Sequence, residues 1–281
     1  MIHSRYVRLA GPLLALTLLA AGGACGGYSG GDQIAFVSDV DGDQEIVLLD
    51  PDTGEATPLT DNRSQDFGPR WSPNGKLLTY VSDQAGNLDI HLADQQEETV
   101  SRLTHSDDDD VIPRWSPEGR RLAFVSERDG NPEVYLMEAD GSTQTRITSN
   151  TTREELGDWS PNGIWLVFPR SGDDSKEGLW LRNPEGVNLV HLTNSQDSAP
   201  AWSPNGRDIA FVRTDGDNED IYIISRLKDG TWQESTELTR LTQHQADDRS
   251  PAWSPDSKTL AFVSFRDGNA EIYTMEGDGS K

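Results

Sequence analysis

Apolar residues along this chain come in short, evenly repeated runs rather than long stripes. One set reads IAFVS (34–38), LLTYVS (77–82), RLAFVS (121–126), WLVFPR (165–170), DIAFVR (208–213) and TLAFVS (259–264). Each is followed, across a polar turn rich in Asp and Gly, by a second run: EIVLLD (45–50), DIHLAD (89–94), EVYLME (133–138), GLWLRN (178–183), DIYIIS (220–225) and EIYTME (271–276). A third short segment ends in Leu-Thr or Ile-Thr, as in SRLT, TRIT and VHLT. Runs this short, aromatic or β-branched and bounded by Gly, Asp and Pro, predict strands; no segment has the length or period of a helix. Apolar residues fill both alternation phases of the first two runs, which predicts sheets covered on both faces.

A fourth segment gives the period. Trp-Ser-Pro recurs at Trp71, Trp115, Trp159, Trp202 and Trp253, spaced 44, 44, 43 and 51 residues apart. Four strands per unit of about this length is the spacing of a β-propeller blade. Ser-Pro-Asn-Gly suits a type I turn, with Ser at the first position, Pro fixing φ at the second and Gly at the fourth. The Trp before it ends the inner strand, where it wedges between neighbouring blades. Burying such a ring removes on the order of 200 Å² from water, at most about 5 kcal/mol. Five indoles at one repeated position read as core, not as a ligand cage.

Naming the strands A (ending in Trp), B, C and D (ending in Leu-Thr), the chain supplies five A, six B, six C and five D strands. The fold class is therefore all-β: a six-bladed propeller, incomplete in that blade one lacks its inner strand and blade six its outer strand. Two explanations are expected, a C-terminal truncation or a gap that a partner strand fills, because open sheet edges invite pairing.

The repeat also resembles a known family. PRWSPEGRRLAFVSERDGNPEVYLMEADGSTQTRIT (113–148) is similar almost throughout to the repeat of TolB-like propellers, also called PD40 or WD40-like repeats, and the resemblance covers about 34–281. It implies the propeller fold strongly and activity weakly, since related propellers bind partners, accompany peptidases or carry lyase chemistry. Some members carry an additional domain ahead of the propeller. Only a short tether precedes the first strand here, so that domain's functions are not carried over.

The N-terminus differs in kind from the repeats. Arg5 and Arg8, the apolar run LAGPLLALTLLAA and the small residues before Cys25 read as a signal peptide over 1–24. Cys25 is the sole cysteine, and its position resembles the acylated residue of bacterial lipoproteins, although Gly22 departs from the usual aliphatic residue. Residues 25–33 read as a flexible tether and 34–281 as the propeller. This places the protein outside the cytoplasm, in the periplasm or at the outer cell surface, held to membrane only through lipid at Cys25. The formal charge of −24 argues against nucleic acid and anionic membrane surfaces as partners.

In a propeller the B–C turns and D–A loops share one face around the channel mouth. Asp66, Asp107, Asp108, Asp109, Asp110, Asp129, Asp197, Asp217, Asp247, Asp248 and Asp267 fall there. They form a candidate docking face for a cationic protein partner, weighed against a merely solvated acidic surface. The A–B turns, with Lys76, Arg120 and Arg207, lie on the opposite face. DVDGDQE (39–45) does not follow the spacing of an EF-hand loop, and its slot in other blades reads as a hairpin turn. No cofactor is expected, and calcium is the adventitious ion that the acidic loops would admit. His91 is expected to pack, in the slot of Tyr135, Tyr222 and Tyr273; His105 and His244 sit in D–A loops, the places from which a zinc or manganese ligand would come. No catalytic residues are assigned. The leading expectation is a monomeric, non-catalytic envelope propeller that binds a protein of the peptidoglycan-associated lipoprotein type. The alternatives are a polysaccharide lyase or hydrolase with a channel site, and an accessory propeller to a separately encoded peptidase.

Overall fold

The computed structural model describes residues 33–280, apart from 41, 150–152, 172–176, 186–187 and 234–237. The expected signal peptide, Cys25 and all of the expected tether but Gln33 lie outside the described residues. Within them there are 23 strands and no helix.

The strands form six antiparallel sheets. Blade one is β1 (Ile34–Ser38), β2 (Glu45–Leu49) and β3 (Ala56–Pro58). Blade two is β4 (Asp66–Trp71), β5 (Leu77–Ser82), β6 (Asp89–Asp94) and β7 (Thr99–Arg102). Blade three is β8 (Asp110–Trp115), β9 (Arg121–Ser126), β10 (Glu133–Glu138) and β11 (Thr145–Arg146). Blade four opens with two fragments, β12 (Arg153–Glu154) and β13 (Asp158–Trp159), both paired to β14 (Leu166–Ser171), then β15 (Gly178–Arg182) and β16 (Leu189–His191). Blade five is β17 (Asp197–Trp202), β18 (Asp208–Asp215), β19 (Asn218–Ser225) and β20 (Thr239–Arg240). Blade six is β21 (Asp248–Trp253), β22 (Thr259–Ser264) and β23 (Glu271–Glu276). Among the described residues blade one thus has no inner strand and blade six no outer strand, as the repeat count predicts. The extra strand over that count comes from the split inner strand of blade four. There Gly157 sits where a Cβ would come within 2.6 Å of the Val167 carbonyl and 2.5 Å of Pro200.

Each repeated residue type has a physical job. The turn after the Trp closes with Gly75 N–H on Ser72 O (2.9 Å), and the Ser72 hydroxyl accepts from Leu77 N–H (3.0 Å). The indoles wedge as expected: Trp115, Trp159 and Trp202 are 9%, 3% and 6% exposed. Their N–H groups lock the stack as well. Trp115 Nε1 donates to Arg70 O (3.1 Å), Trp159 Nε1 to Arg114 O (3.1 Å) and Trp253 Nε1 to Ala201 O (3.2 Å), each reaching the inner strand of the preceding blade. Trp71 and Trp202 Nε1 are buried without an acceptor: the described part of the blade before Trp71 holds no inner strand, and the inner strand of the blade before Trp202 is split.

The Leu-Thr ending is a second lock. Thr60, Thr104, Thr148, Thr193 and Thr242 each accept, through Oγ1, a backbone N–H of the C strand, from Ile46, Ile90, Val134, Leu179 and Ile221, at 2.8–2.9 Å. Thr148 passes its own proton to Glu133 (2.6 Å), and Thr104 and Thr242 do the same to Asp89 and Asp220. In blade four the acid's position is taken by Gly178, whose Cβ would lie 2.1 Å from the Thr193 carbonyl.

The core lies between blades. Ala123, Val125, Val134 and Leu136 of blade three pack on Trp159 and Leu166 of blade four, while Leu122, Phe124, Tyr135 and Met137 pack back on blade two. At the ends of the stack the matching faces are uncovered: Ile34 is 44% exposed and Ile272 58%.

Candidate functional site: the acidic rim and the channel

The B–C turns and D–A loops do form one connected rim. Asn87 Nδ2 donates to Ser106 O (3.2 Å) and Asp108 O (3.0 Å), Leu88 N–H donates to the Asp109 carboxylate (3.0 Å), and Glu219 N–H donates to that of Asp247 (3.1 Å). The eleven predicted docking residues nevertheless divide into two groups.

Asp66, Asp110, Asp197 and Asp248 are 1%, 0%, 5% and 0% exposed, so they cannot meet a partner. Each opens an A strand, and in three blades an arginine from the far end of the B strand clamps it. Arg128 Nη2 meets both oxygens of Asp110 (3.0 and 2.8 Å), Arg213 grips Asp197 through two 2.7 Å bonds, and Arg266 Nη2 meets Asp248 (3.1 and 3.2 Å). Arg170 does the same for Glu154 in blade four (2.7 Å). Blade two has no such arginine, and Asn62 Nδ2 donates to Asp66 instead (2.6 Å). The clamping arginines lie over the rings of their own sheet: Arg128 is 4.8 Å from the Tyr135 ring, Arg170 4.6 Å from Trp180, Arg213 5.2 Å from Tyr222 and Arg266 4.4 Å from Tyr273. Burial still pushes the Asp110 carboxyl above its ordinary value, whereas the Asp197 hydrogen bond raises Arg213. These four acids are structural members of the blades.

The other seven stay on the surface, with different degrees of freedom. Asp129 accepts from the Tyr135 hydroxyl and pairs with Arg146 (2.8 Å), contacts that hold its carboxyl below the usual range. Asp247 pairs with Arg249 (2.8 Å), Asp267 accepts from the Tyr273 hydroxyl, and Asp109 is spent on Leu88. Asp107, Asp108 and Asp217 are exposed, and their carboxylates have no partner among the described residues.

The histidines separate in the same way. His91 is 5% exposed and tilted on Tyr80 at 5.4 Å, with burial lowering its pKa. His244 Nδ1 accepts from Ala246 N–H (3.1 Å), and His105 is exposed. Among the described residues no three His, Cys, Asp or Glu side chains converge as metal ligands.

The channel holds what the sequence reading passed over. A cavity of about 480 Å³ is bounded by the inner strands of blades two to five. The residue before each Trp varies around the ring: Arg70, Arg114, Asp158, Ala201 and Ala252. Arg114 Nε donates to Gly157 O (2.9 Å), while Arg70 Nε is buried with no acceptor. Burial first, and then the charge of Arg114, push the Arg70 guanidinium well below the ordinary arginine value; burial likewise raises the Asp158 carboxyl. The channel wall is also strained. Ile112, Ala199 and Ser250 stand at φ of 57°, 46° and 54°, the left-handed region that Gly68 occupies in blade two, at the bulge of each inner strand. The signal for this site in the sequence was one variable position inside an otherwise fixed motif.

Comparison with known proteins agrees with this architecture. The TolB protein of the Tol-Pal system from Syntrophus aciditrophicus is 33% identical over 72 residues, 26% of this chain and 15% of that protein. TolB from Acinetobacter baumannii superposes with a TM-score of 0.65 at 22% identity, over 84% of this chain and 58% of that one. Oligogalacturonate lyase from Vibrio parahaemolyticus superposes with a TM-score of 0.60 at 16% identity, over 86% and 85%. The chain therefore spans less than two thirds of the length of these two TolB relatives, and the two superpositions speak for the fold alone. The sequence profile of the TolB β-propeller domain, PD40, matches residues 28–225 and 187–281, so the chain belongs to the TolB-like β-propeller family.

Proposed function

We propose that this chain is a non-catalytic propeller of the cell envelope that docks a protein partner on its rim, anchored by lipid at Cys25. The observation that carries the reading is the set of free carboxylates, Asp107, Asp108 and Asp217, on loops held in place by hydrogen bonds. A pre-ordered surface loses little entropy on docking, and unpaired carboxylates attract a basic partner and steer its approach. The curated TolB relative belongs to the Tol-Pal system, so a peptidoglycan-associated lipoprotein is the first partner to try.

The test is binding of purified protein to that lipoprotein by biolayer interferometry at low and high salt. Association should slow as salt rises, and replacing Asp107, Asp108 and Asp217 together with Asn should slow it at least tenfold at low salt. Unchanged association in the triple variant would remove the rim from the account. Turnover of polygalacturonate, read as unsaturated product, would overturn the non-catalytic part.

A further inference from the structure

We infer that the channel is a second binding site, independent of the rim, that takes a carboxylate carried on a compact apolar body, held by Arg70 and Arg114. Three observations converge. The cavity, about 480 Å³, is within the range of small-molecule pockets, and its wall is largely apolar, with Val81, Val111, Ile112, Leu156 and Pro169. Two guanidinium groups from adjacent blades meet in it, brought side by side because Trp115 of blade three bonds the Arg70 carbonyl. Neither is clamped by an acid as the rim arginines are: no ion pair joins either one to a carboxylate among the described residues, and Arg70 Nε is buried and unpartnered.

A half-buried cation with no carboxylate at ion-pair distance is unfavourable, and it persists where a ligand supplies the missing charge. A guanidinium fork matches the two oxygens of a carboxylate. Asp158 in blade four and Glu155 at the cavity wall are the acids nearby, and Asp158 offsets part of the charge, with its own carboxylate bonded to Trp159 N–H (2.8 Å). The rim repels an anion, so entry is favoured from the opposite face, where the turns carry Arg120 and Arg207.

The carboxylate has two sources, a free small acid or the C-terminus of a peptide. Isothermal titration of the purified propeller with N-acetyl-leucine, its amide, and a pentapeptide ending in Leu with a free or amidated C-terminus separates them. The expected result is binding of at least one free acid, at least tenfold weaker binding of its amide, and at least tenfold loss in Arg70→Met. Arg70→Lys, which keeps the charge but not the fork, should fall between. Arg70→Met removes an unpaired buried charge, so its melting temperature should match or exceed that of the parent; a normal melt with lost binding isolates the ligand role. Equal binding of acid and amide, unaltered binding in Arg70→Met, or no heat from either free acid at 10-fold molar excess over a millimolar sample would overturn the site.

Discussion

Replacing Arg213 with Ala tests whether the acids at the head of each inner strand are structural. The Asp197 side chain is 0% exposed and that of Arg213 16%, and two 2.7 Å bonds join them. Loss of the arginine strands a buried carboxylate, which costs about 3–5 kcal/mol. For a chain of this size roughly 2–4 °C of melting temperature goes with each kcal/mol, so the melt should fall by about 10 °C. Asp197→Asn is the informative control. It leaves the guanidinium on the wetter side of the pair and keeps an acceptor, so about 1–2 kcal/mol is expected. The double variant should be less destabilised than the sum of the two. The sign with pH follows from Arg213: its folded pKa is raised by Asp197, so its share of stability is complete below the unfolded arginine value and constant from pH 6 to 9. Urea midpoints measured across that range give all four numbers. A loss below about 1 kcal/mol in Arg213→Ala would mean that water reaches the Asp197 carboxylate, and would return Asp197 to the docking face.

Two further outcomes follow from the blade interior and the channel. Thr148→Val removes both the acceptor for Val134 N–H and the donor to Glu133, for about 1–3 kcal/mol, whereas Thr148→Ser should retain most of the stability in the same urea assay. Burial holds the Asp158 carboxyl above its ordinary value, so the folded state takes up that proton before the unfolded chain does. Acidification therefore relieves this site, and Asp158→Asn should flatten the stability profile on the alkaline side of the ordinary Asp range.

Most of the fold was legible because the repeat writes it five or six times. Trp115, the Ser116 turn and Thr148 each recur at a fixed offset, so propensity, turn chemistry and spacing agree. The fate of the acids was harder to read, because Asp110 and Asp107 look alike as letters. What separates them is a partner far along the chain: Arg128 lies 18 residues beyond Asp110 and Arg266 18 beyond Asp248, while Arg213 lies 16 beyond Asp197 and Arg170 16 beyond Glu154. Those offsets are one A–B hairpin, with the arginine either in the last three residues of the B strand or two residues past it. Read singly, each acid is a surface charge; read with its hairpin partner, it is a clamp.

The same reasoning says where function should be sought in a repeated fold. A residue that recurs in every blade answers a need that every blade has, which is to pair, turn and stack. A residue that breaks the repeat at a structurally equivalent position answers no such need. The position before the Trp is apolar in blades five and six, as Ala201 and Ala252, yet it carries Arg70, Arg114 and Asp158 in blades two to four. Stacking is served equally well by alanine there, since Trp253 bonds the Ala201 carbonyl just as Trp115 bonds that of Arg70. Arg114 gains one bond to the Gly157 carbonyl and Asp158 offsets part of the charge, but Arg70 Nε gains no acceptor, so desolvating it opposes folding. The part that Asp158 leaves uncompensated is balanced when an anion enters the channel, which makes the departure from the repeat, rather than the repeat, the mark of the ligand.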